Sequence, residues 1–240
     1  MPQLLSLETC FSPELFPIYK NTETIVVVVD ILRATTSICS AFENGVTSII
    51  PVRSRDEART YKEQGYMVAA ERNGIKLDFA DFGNSPDNFK PETVHGKTIV
   101  YSTTNGTKTI QMAADCKAVV IGAFSNISAL AEYLIAHKSP IILLCAGWKG
   151  RYNIEDTVFC GALAEKLLQS QLFENKCDAT KTAVEMWNNH HNDLRALINT
   201  CAQHDRLTAN NLQGCIDFCL TLDTTEKVPV FADGKLYVEK

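Results

Sequence analysis

The 240-residue sequence contains no GxxxxGK[ST] segment and no GxGxxG. A P-loop is thereby excluded, and nothing supports a dinucleotide-binding turn. No Cys-x-x-Cys pair occurs among the nine cysteines, and their number is odd, so neither a zinc ribbon nor a disulfide framework is expected. Cys39, Cys116, Cys145, Cys160, Cys201, Cys215 and Cys219 sit among apolar neighbours and read as small hydrophobes in a reducing compartment. No apolar run reaches membrane-spanning length, and residues 1–20 lack a charged start followed by a long apolar core. The expectation is a cytoplasmic protein without a membrane partner. There is no basic block either: 23 Lys and Arg stand against 28 Asp and Glu, a net charge of −5. That disfavours nucleic acid as a partner. It leaves small anions open, because a few local arginines suffice for them.

What is present is the composition of an ordinary globular chain, with 45% hydrophobic and 21% charged residues, enough for a sizeable core. Ile25-Val26-Val27-Val28-Val29 is an unbroken β-branched run that ends at Asp30, the pattern of a strand buried on both faces. Strand and helix patterns then alternate to about residue 170. Strands are expected over 46–52, 66–70, 98–101, 118–121 and 141–145, and a short one at or near a sheet edge over 4–7. The fold class is α/β, a mainly parallel sheet flanked by helices in three α/β/α layers. Residues 178–222 read as a helical subregion, and Asp233-Gly234 between two apolar stretches as a hairpin. A single domain over residues 1–240 is expected, and a homodimer is the base-rate expectation for its assembly.

Chemistry gathers where strands stop, the place where open α/β sheets bind ligands. Asp30 is followed by Arg33 and by Thr35 and Thr36 at a helix start, and Glu71 by Arg72. Ser102-Thr103-Thr104-Asn105-Gly106-Thr107 has the look of an anion cradle. A fourth strand leads through Gly147 and Gly150 to Arg151, Glu155 and Asp156. Asp30, Glu71, Glu155 and Asp156 are hard oxygen donors of the type Mg²⁺ prefers. The arginines and hydroxyl loops suit a phosphoryl group and a second acidic group on a small phosphate ester. Plainer alternatives exist for each: Asp30 as a helix cap with Arg33 as its ion-pair partner, Glu155-Asp156 as acids complementing a helix dipole, residues 102–107 and Asn84-Ser85-Pro86 as turns. A binding protein without catalysis would keep the arginines but would not need several carboxylates beside them. Asp30 is followed by Ile31 and Leu32, so the Asp-x-Asp of haloacid-dehalogenase-type phosphatases is missing.

Six segments occur in one order: Val29-Asp30-Ile31-Leu32-Arg33-Ala34-Thr35-Thr36, Glu71-Arg72, Gly83-Asn84-Ser85-Pro86, Thr103-Thr104-Asn105-Gly106-Thr107, Cys145-Ala146-Gly147 and Glu155-Asp156. Together they resemble the 2-phosphosulfolactate phosphatases, Mg²⁺-dependent enzymes of coenzyme M biosynthesis, over about residues 25–170. The resemblance implies hydrolysis of 2-phospho-3-sulfolactate to 3-sulfolactate and phosphate; a related 2-phospho acid as substrate is the alternative. On this reading Asp30, Arg33 and Glu71 are catalytic, and Asp30, Glu71, Glu155 and Asp156 are the candidate Mg²⁺ ligands. Thr35, Thr36, Arg72, Asn84, Ser85, Thr104, Asn105, Gly106, Thr107 and Arg151 would hold the substrate. Attack by a water that the metal activates is the expected route, with a phosphoenzyme on Asp30 as the competing one.

Overall fold

A computed structural model of the chain describes residues 3–239. Its centre is the run singled out above. The strand β2 (Ile25–Val29) is buried along its whole length and pairs in parallel with a strand on either side. Alternate side chains go to opposite faces of a strand, and the two faces of β2 enter different cores. Ile25, Val27 and Val29 pack with Phe124, Phe159 and Leu163; Val26 and Val28 pack with Ile38, Phe42, Ile99 and Tyr101. Each of these branched side chains stabilises the fold by roughly 1.5–3 kcal/mol through burial, which is why no polar residue interrupts the run.

The other strands are β1 (Leu5–Cys10), β3 (Ser48–Pro51), β4 (Met67–Arg72), β5 (Ile75–Lys76), β6 (Thr98–Ser102), β7 (Ala118–Gly122), β8 (Ile141–Cys145), β9 (Phe173–Glu174), β10 (Pro229–Ala232) and β11 (Lys235–Val238). They form one mostly parallel mixed sheet in the order β5-β4-β6-β3-β11-β10-β7-β2-β8-β1-β9. Two parallel blocks are visible in it: β4-β6-β3 and β7-β2-β8-β1-β9. The β10–β11 hairpin is inserted between them, antiparallel to both neighbours. Its two-residue turn is Asp233-Gly234, with φ of 49° and 76°. Two successive positive φ values are what a type I′ turn requires. The turn was legible in the sequence; its place in the middle of the sheet was not. β1 lies next to the edge, as expected, but runs to Cys10. The two-residue strands β5 and β9 are too short to leave a pattern.

The hairpin reverses strand sense, so the two blocks run oppositely within the sheet, yet their carboxyl ends meet. Between β2 and β6 there are five strand-to-strand steps, over which twist accumulates to roughly 100–125°. The sheet thereby curls around the helix Ala34–Glu43, in which eight of ten residues are buried. That helix touches β2 residues on one side and Ile49, Ile99 and Tyr101 of the other block on the other. The remaining helices cover the outside, chiefly Ile127–His137, Ile154–Gln169 and Asp178–His190. The helical region is continuous with the main core: Ala183, Ile198, Leu207 and Ile216 share a cluster with Val27 and Phe159. No helix among the described residues is long and apolar enough to cross a membrane, and all nine cysteines are free.

Candidate active site

The curl brings the ends of β2, β4, β6 and β8 to one narrow cleft. Asp30, Arg33, Glu71, Asn84, Asn105 and Glu155 line it, together with Gly74, Gly147, Trp148, Asn153 and Gln203. Its open volume is about 20 Å³, room for one water molecule or a small ion. A three-carbon phosphate ester needs the walls to part.

Most of the hydrogen-bonding groups that promised an anion cradle are already engaged with the protein. The Thr35 N–H donates to the Asp30 carbonyl (2.9 Å), and the Asp30 N–H donates to Thr35 Oγ1 (3.1 Å). The Thr36 hydroxyl donates to the Ile31 carbonyl (2.9 Å), and both threonines are fully buried. This helix start therefore fixes Asp30, whose carboxylate is faced by the Ala34 N–H. Thr103 and Thr107 close their own loop, each hydroxyl accepting from the other's N–H at 3.2 Å. Glu71 occupies the remainder of the cradle. Its carboxylate accepts from the Thr104 N–H (2.6 Å), the Thr104 hydroxyl (3.1 Å) and the Gly74 N–H (2.6 Å). Glu71 thus ties the end of β4 to the loop after β6.

Arg72 is committed in the same way. Its terminal nitrogens donate to the carbonyls of Glu71, Ser102 and Arg53 and to the Ser102 hydroxyl, straps between strand ends rather than donors facing the cleft. Arg151 is exposed and outside the lining; its backbone closes the 148–151 loop on Trp148 at 3.0 Å in both directions. Asp156 is fully buried and also outside the lining. It accepts from the Ile31 N–H (3.0 Å), the Gly147 N–H (3.3 Å) and Asn153 Nδ2 (2.8 Å), and so joins the β2 and β8 loops. Ser85 sits beside Asp87 (3.5 Å), while Asn84 reaches the cleft. Gly106 permits the closest approach: a Cβ there would stand 2.9 Å from both Asp30 Oδ2 and Ala34 Cβ.

What remains unpartnered defines the site. Arg33 Nε, Asn84 Oδ1 and Asn153 Oδ1 are buried side-chain atoms without a hydrogen-bond partner, and all three residues line this cleft. Buried polar atoms are ordinarily paired, and three of the six such orphans found among the described residues fall at this one place, which singles it out as the candidate ligand site. Beside them, Asp30 has its pKa raised from an ordinary 3.8 to about 7, first by burial and then by the charges of Glu71 and Glu155. Burial also raises Glu155, which accepts from Asn153 Nδ2 at 3.0 Å. Carboxylate and amide oxygens crowd the cleft, and the Arg33 guanidinium acts on Asp30 in the opposite sense, favouring its charged form. Arg33 is held there by an Nη2 bond to the Gly74 carbonyl (3.0 Å).

Asn153, Gln203, Trp148 and Arg206 belong to this region without any motif having marked them. Asn153 stands two residues before a conspicuous acidic pair. Trp148 lies in the glycine loop after β8, and Gln203 and Arg206 sit on a helix, Ala202–Ala209, that arrives from far along the chain.

Comparison with known proteins points to one family. A family model described as 2-phosphosulpholactate phosphatase matches residues 10–234, which extends the likeness well beyond residues 25–170 into the helical segment and the hairpin. A protein of Caldanaerobacter subterraneus subsp. tengcongensis is 34% identical over 216 residues, 88% of this chain and 89% of its own. One of Thermotoga maritima is 35% identical over 208 residues, 87% and 89%. One of Microcystis aeruginosa is 28% identical over 234 residues, 95% and 97%. All three carry the name probable 2-phosphosulfolactate phosphatase. The chain belongs to the 2-phosphosulpholactate phosphatase family, a family of phosphoric monoester hydrolases.

Proposed function

We propose that this protein hydrolyses the phosphate ester of 2-phospho-3-sulfolactate to 3-sulfolactate and phosphate, with Mg²⁺ as cofactor. The observation that carries the reading is the set of unpartnered atoms in one cleft, acceptor oxygens beside carboxylates together with a guanidinium N–H. Acceptors in excess want a cation, and the donor wants an anion; a divalent ion and a phosphoryl group together satisfy both.

The donor set suits Mg²⁺. Among the described residues no group of three His, Cys, Asp or Glu side chains is gathered so as to hold a metal ion. Mg²⁺ does not need one, because it keeps several waters and takes one or two carboxylates plus substrate phosphate. Asp30 and Glu155 would hold it, with Asn84 Oδ1 and Asn153 Oδ1 as neutral oxygens. Bound there, the ion supplies charge neutralisation for the phosphoryl oxygens. Asp156 keeps the supporting loops in register, and Glu71, which borders the cleft, has both carboxylate oxygens committed to Thr104 and Gly74.

The chain's own groups do the rest. Arg33, immobilised through Gly74, presents Nε to a phosphoryl oxygen and strengthens that contact as charge develops. Asn105 and Asn84 border the ester's path and orient it. The narrowness of the cleft keeps bulk water away once the walls close, which strengthens each of these interactions. A cytoplasmic setting agrees with nine free thiols.

The test is phosphate release from a panel of phosphorylated hydroxy acids, with Mg²⁺ and then with chelator. Highest kcat/KM for 2-phospho-3-sulfolactate, lost on chelation and restored by Mg²⁺, is the expected result. A better substrate elsewhere in the panel would reassign the specificity, and turnover indifferent to chelator would remove the metal.

A further inference from the structure

The substrate proposed above carries a carboxylate and a sulfonate besides its phosphate, and the arginines expected to receive them are placed otherwise. Arg72 donates to carbonyls, and Arg151 is exposed outside the cleft. Arg33 is a single guanidinium, already bonded to Gly74. A second cation has to come from elsewhere in the structure.

We propose that Arg206, on the helix Ala202–Ala209, is the residue that selects for a non-phosphate anionic group on the substrate, carboxylate or sulfonate. Its guanidinium carbon lies 4.3 Å from the centre of the Trp148 ring, and Trp148 lines the cleft. Its Nε donates to Gln203 Oε1 at 2.7 Å. Gln203 also lines the cleft and anchors the helix by donating from Nε2 to the Leu32 carbonyl at 3.0 Å. Stacking on one face and the Nε bond at one edge fix the plane of the guanidinium. The terminal nitrogens are engaged by no hydrogen bond or ion pair among the described residues. A planar fork held by its stem and free at its tips is the arrangement that receives a carboxylate or sulfonate through two parallel N–H···O bonds. The group is half-buried, and the acids that act on it are Glu155 and Asp205. Glu155 is the acid that would face Mg²⁺, so occupation of the metal site would turn the local field in favour of a second anion at Arg206.

The inference rests on the phosphatase reading, and one experiment separates their failures. Wild-type, Arg206→Gln and Arg206→Lys proteins are assayed with Mg²⁺ on isopropyl phosphate, 2-phospholactate and 2-phospho-3-sulfolactate. The readout is the ratio of kcat/KM for each acidic ester to that for isopropyl phosphate. Loss of a charge-assisted contact lowers that ratio by about 10-fold or more in Arg206→Gln, through KM, and Arg206→Lys, which keeps the charge but not the planar fork, recovers only part of it. A fall already present with 2-phospholactate assigns the carboxylate to Arg206; one confined to 2-phospho-3-sulfolactate assigns the sulfonate. A structural role would slow all three esters alike and leave the ratio unchanged, which overturns the proposal while the phosphatase reading survives. Wild-type protein inactive on all three would overturn the phosphatase reading, and the role of Arg206 with it.

Discussion

Replacing Asp30 by Asn should make the metal-free protein more stable while abolishing its activity. The Asp30 carboxyl is raised from 3.8 to about 7 by burial and by Glu71 and Glu155. In the folded state it stays protonated up to about pH 7, whereas in the unfolded chain it ionises near pH 4. An acid raised on folding opposes folding as pH climbs through that window, and the loss is complete above pH 7. At roughly 1.4 kcal/mol per pH unit the whole window amounts to about 4 kcal/mol. The carboxylate opens to the water of the cleft, which screens it, so about half of that, ~2 kcal/mol, is the working value. For a chain of this length the Asn variant should then melt about 4–8 °C above wild type at pH 8 in chelator, with no difference at pH 4. Mg²⁺ should raise the wild-type midpoint and leave the variant's where it was. Thermal melts at the two pH values, with chelator and with Mg²⁺, check this. A variant that melts at or below wild type at pH 8 would show that Asp30 is not a crowded charge, and the argument for a cation there would fall.

Gly106→Ala would push a methyl to within 2.9 Å of Asp30 Oδ2 and Ala34 Cβ, so kcat should fall about 100-fold with a stability loss of about 1–3 kcal/mol, measured by turnover and denaturant melts. Glu71→Gln sets an amide NH₂ against the N–H of Gly74 or Thr104, and urea unfolding should show a loss of about 1–3 kcal/mol. Gly234→Val places a β-branched residue at a φ of 76° in the hairpin that joins the two sheet blocks. Its cost of about 1–2 kcal/mol should appear as a lower midpoint with kcat/KM unchanged at low temperature.

How much of this was legible in the sequence depends on the range of the interaction. The run Ile25–Val29 announced a doubly covered strand because burial on both faces forces apolar side chains at every position. Asp233-Gly234 announced its turn because two left-handed residues in succession are permitted to few side chains. Asp30, Arg33, Glu71, Asn105 and Glu155 could be picked out because each stands at or after the end of a strand, and strand ends of this kind of sheet meet; Asn84 was marked only by its irregular Gly-Asn-Ser-Pro loop and the family resemblance. The satisfaction of hydrogen bonds was not legible. Thr104 reads as a free hydroxyl until the pairing of β4 with β6 brings it to Glu71, and Arg72 reads as a substrate clamp until its donors are seen on the Ser102 and Arg53 carbonyls. The insertion of β10–β11 between β7 and β3 is a pairing across more than a hundred residues, with no local signature. Arg206 and Gln203 escaped for the same reason: their helix looks like any polar helix until it is docked over Trp148.

The most direct measurement is a crystal structure with Mg²⁺, 3-sulfolactate and phosphate. The account predicts the metal between Asp30, Glu155 and the amide oxygens of Asn84 and Asn153, with phosphate against Arg33. Ligands seated instead in another groove, with Arg33 Nε and those two oxygens still unpartnered, would contradict it.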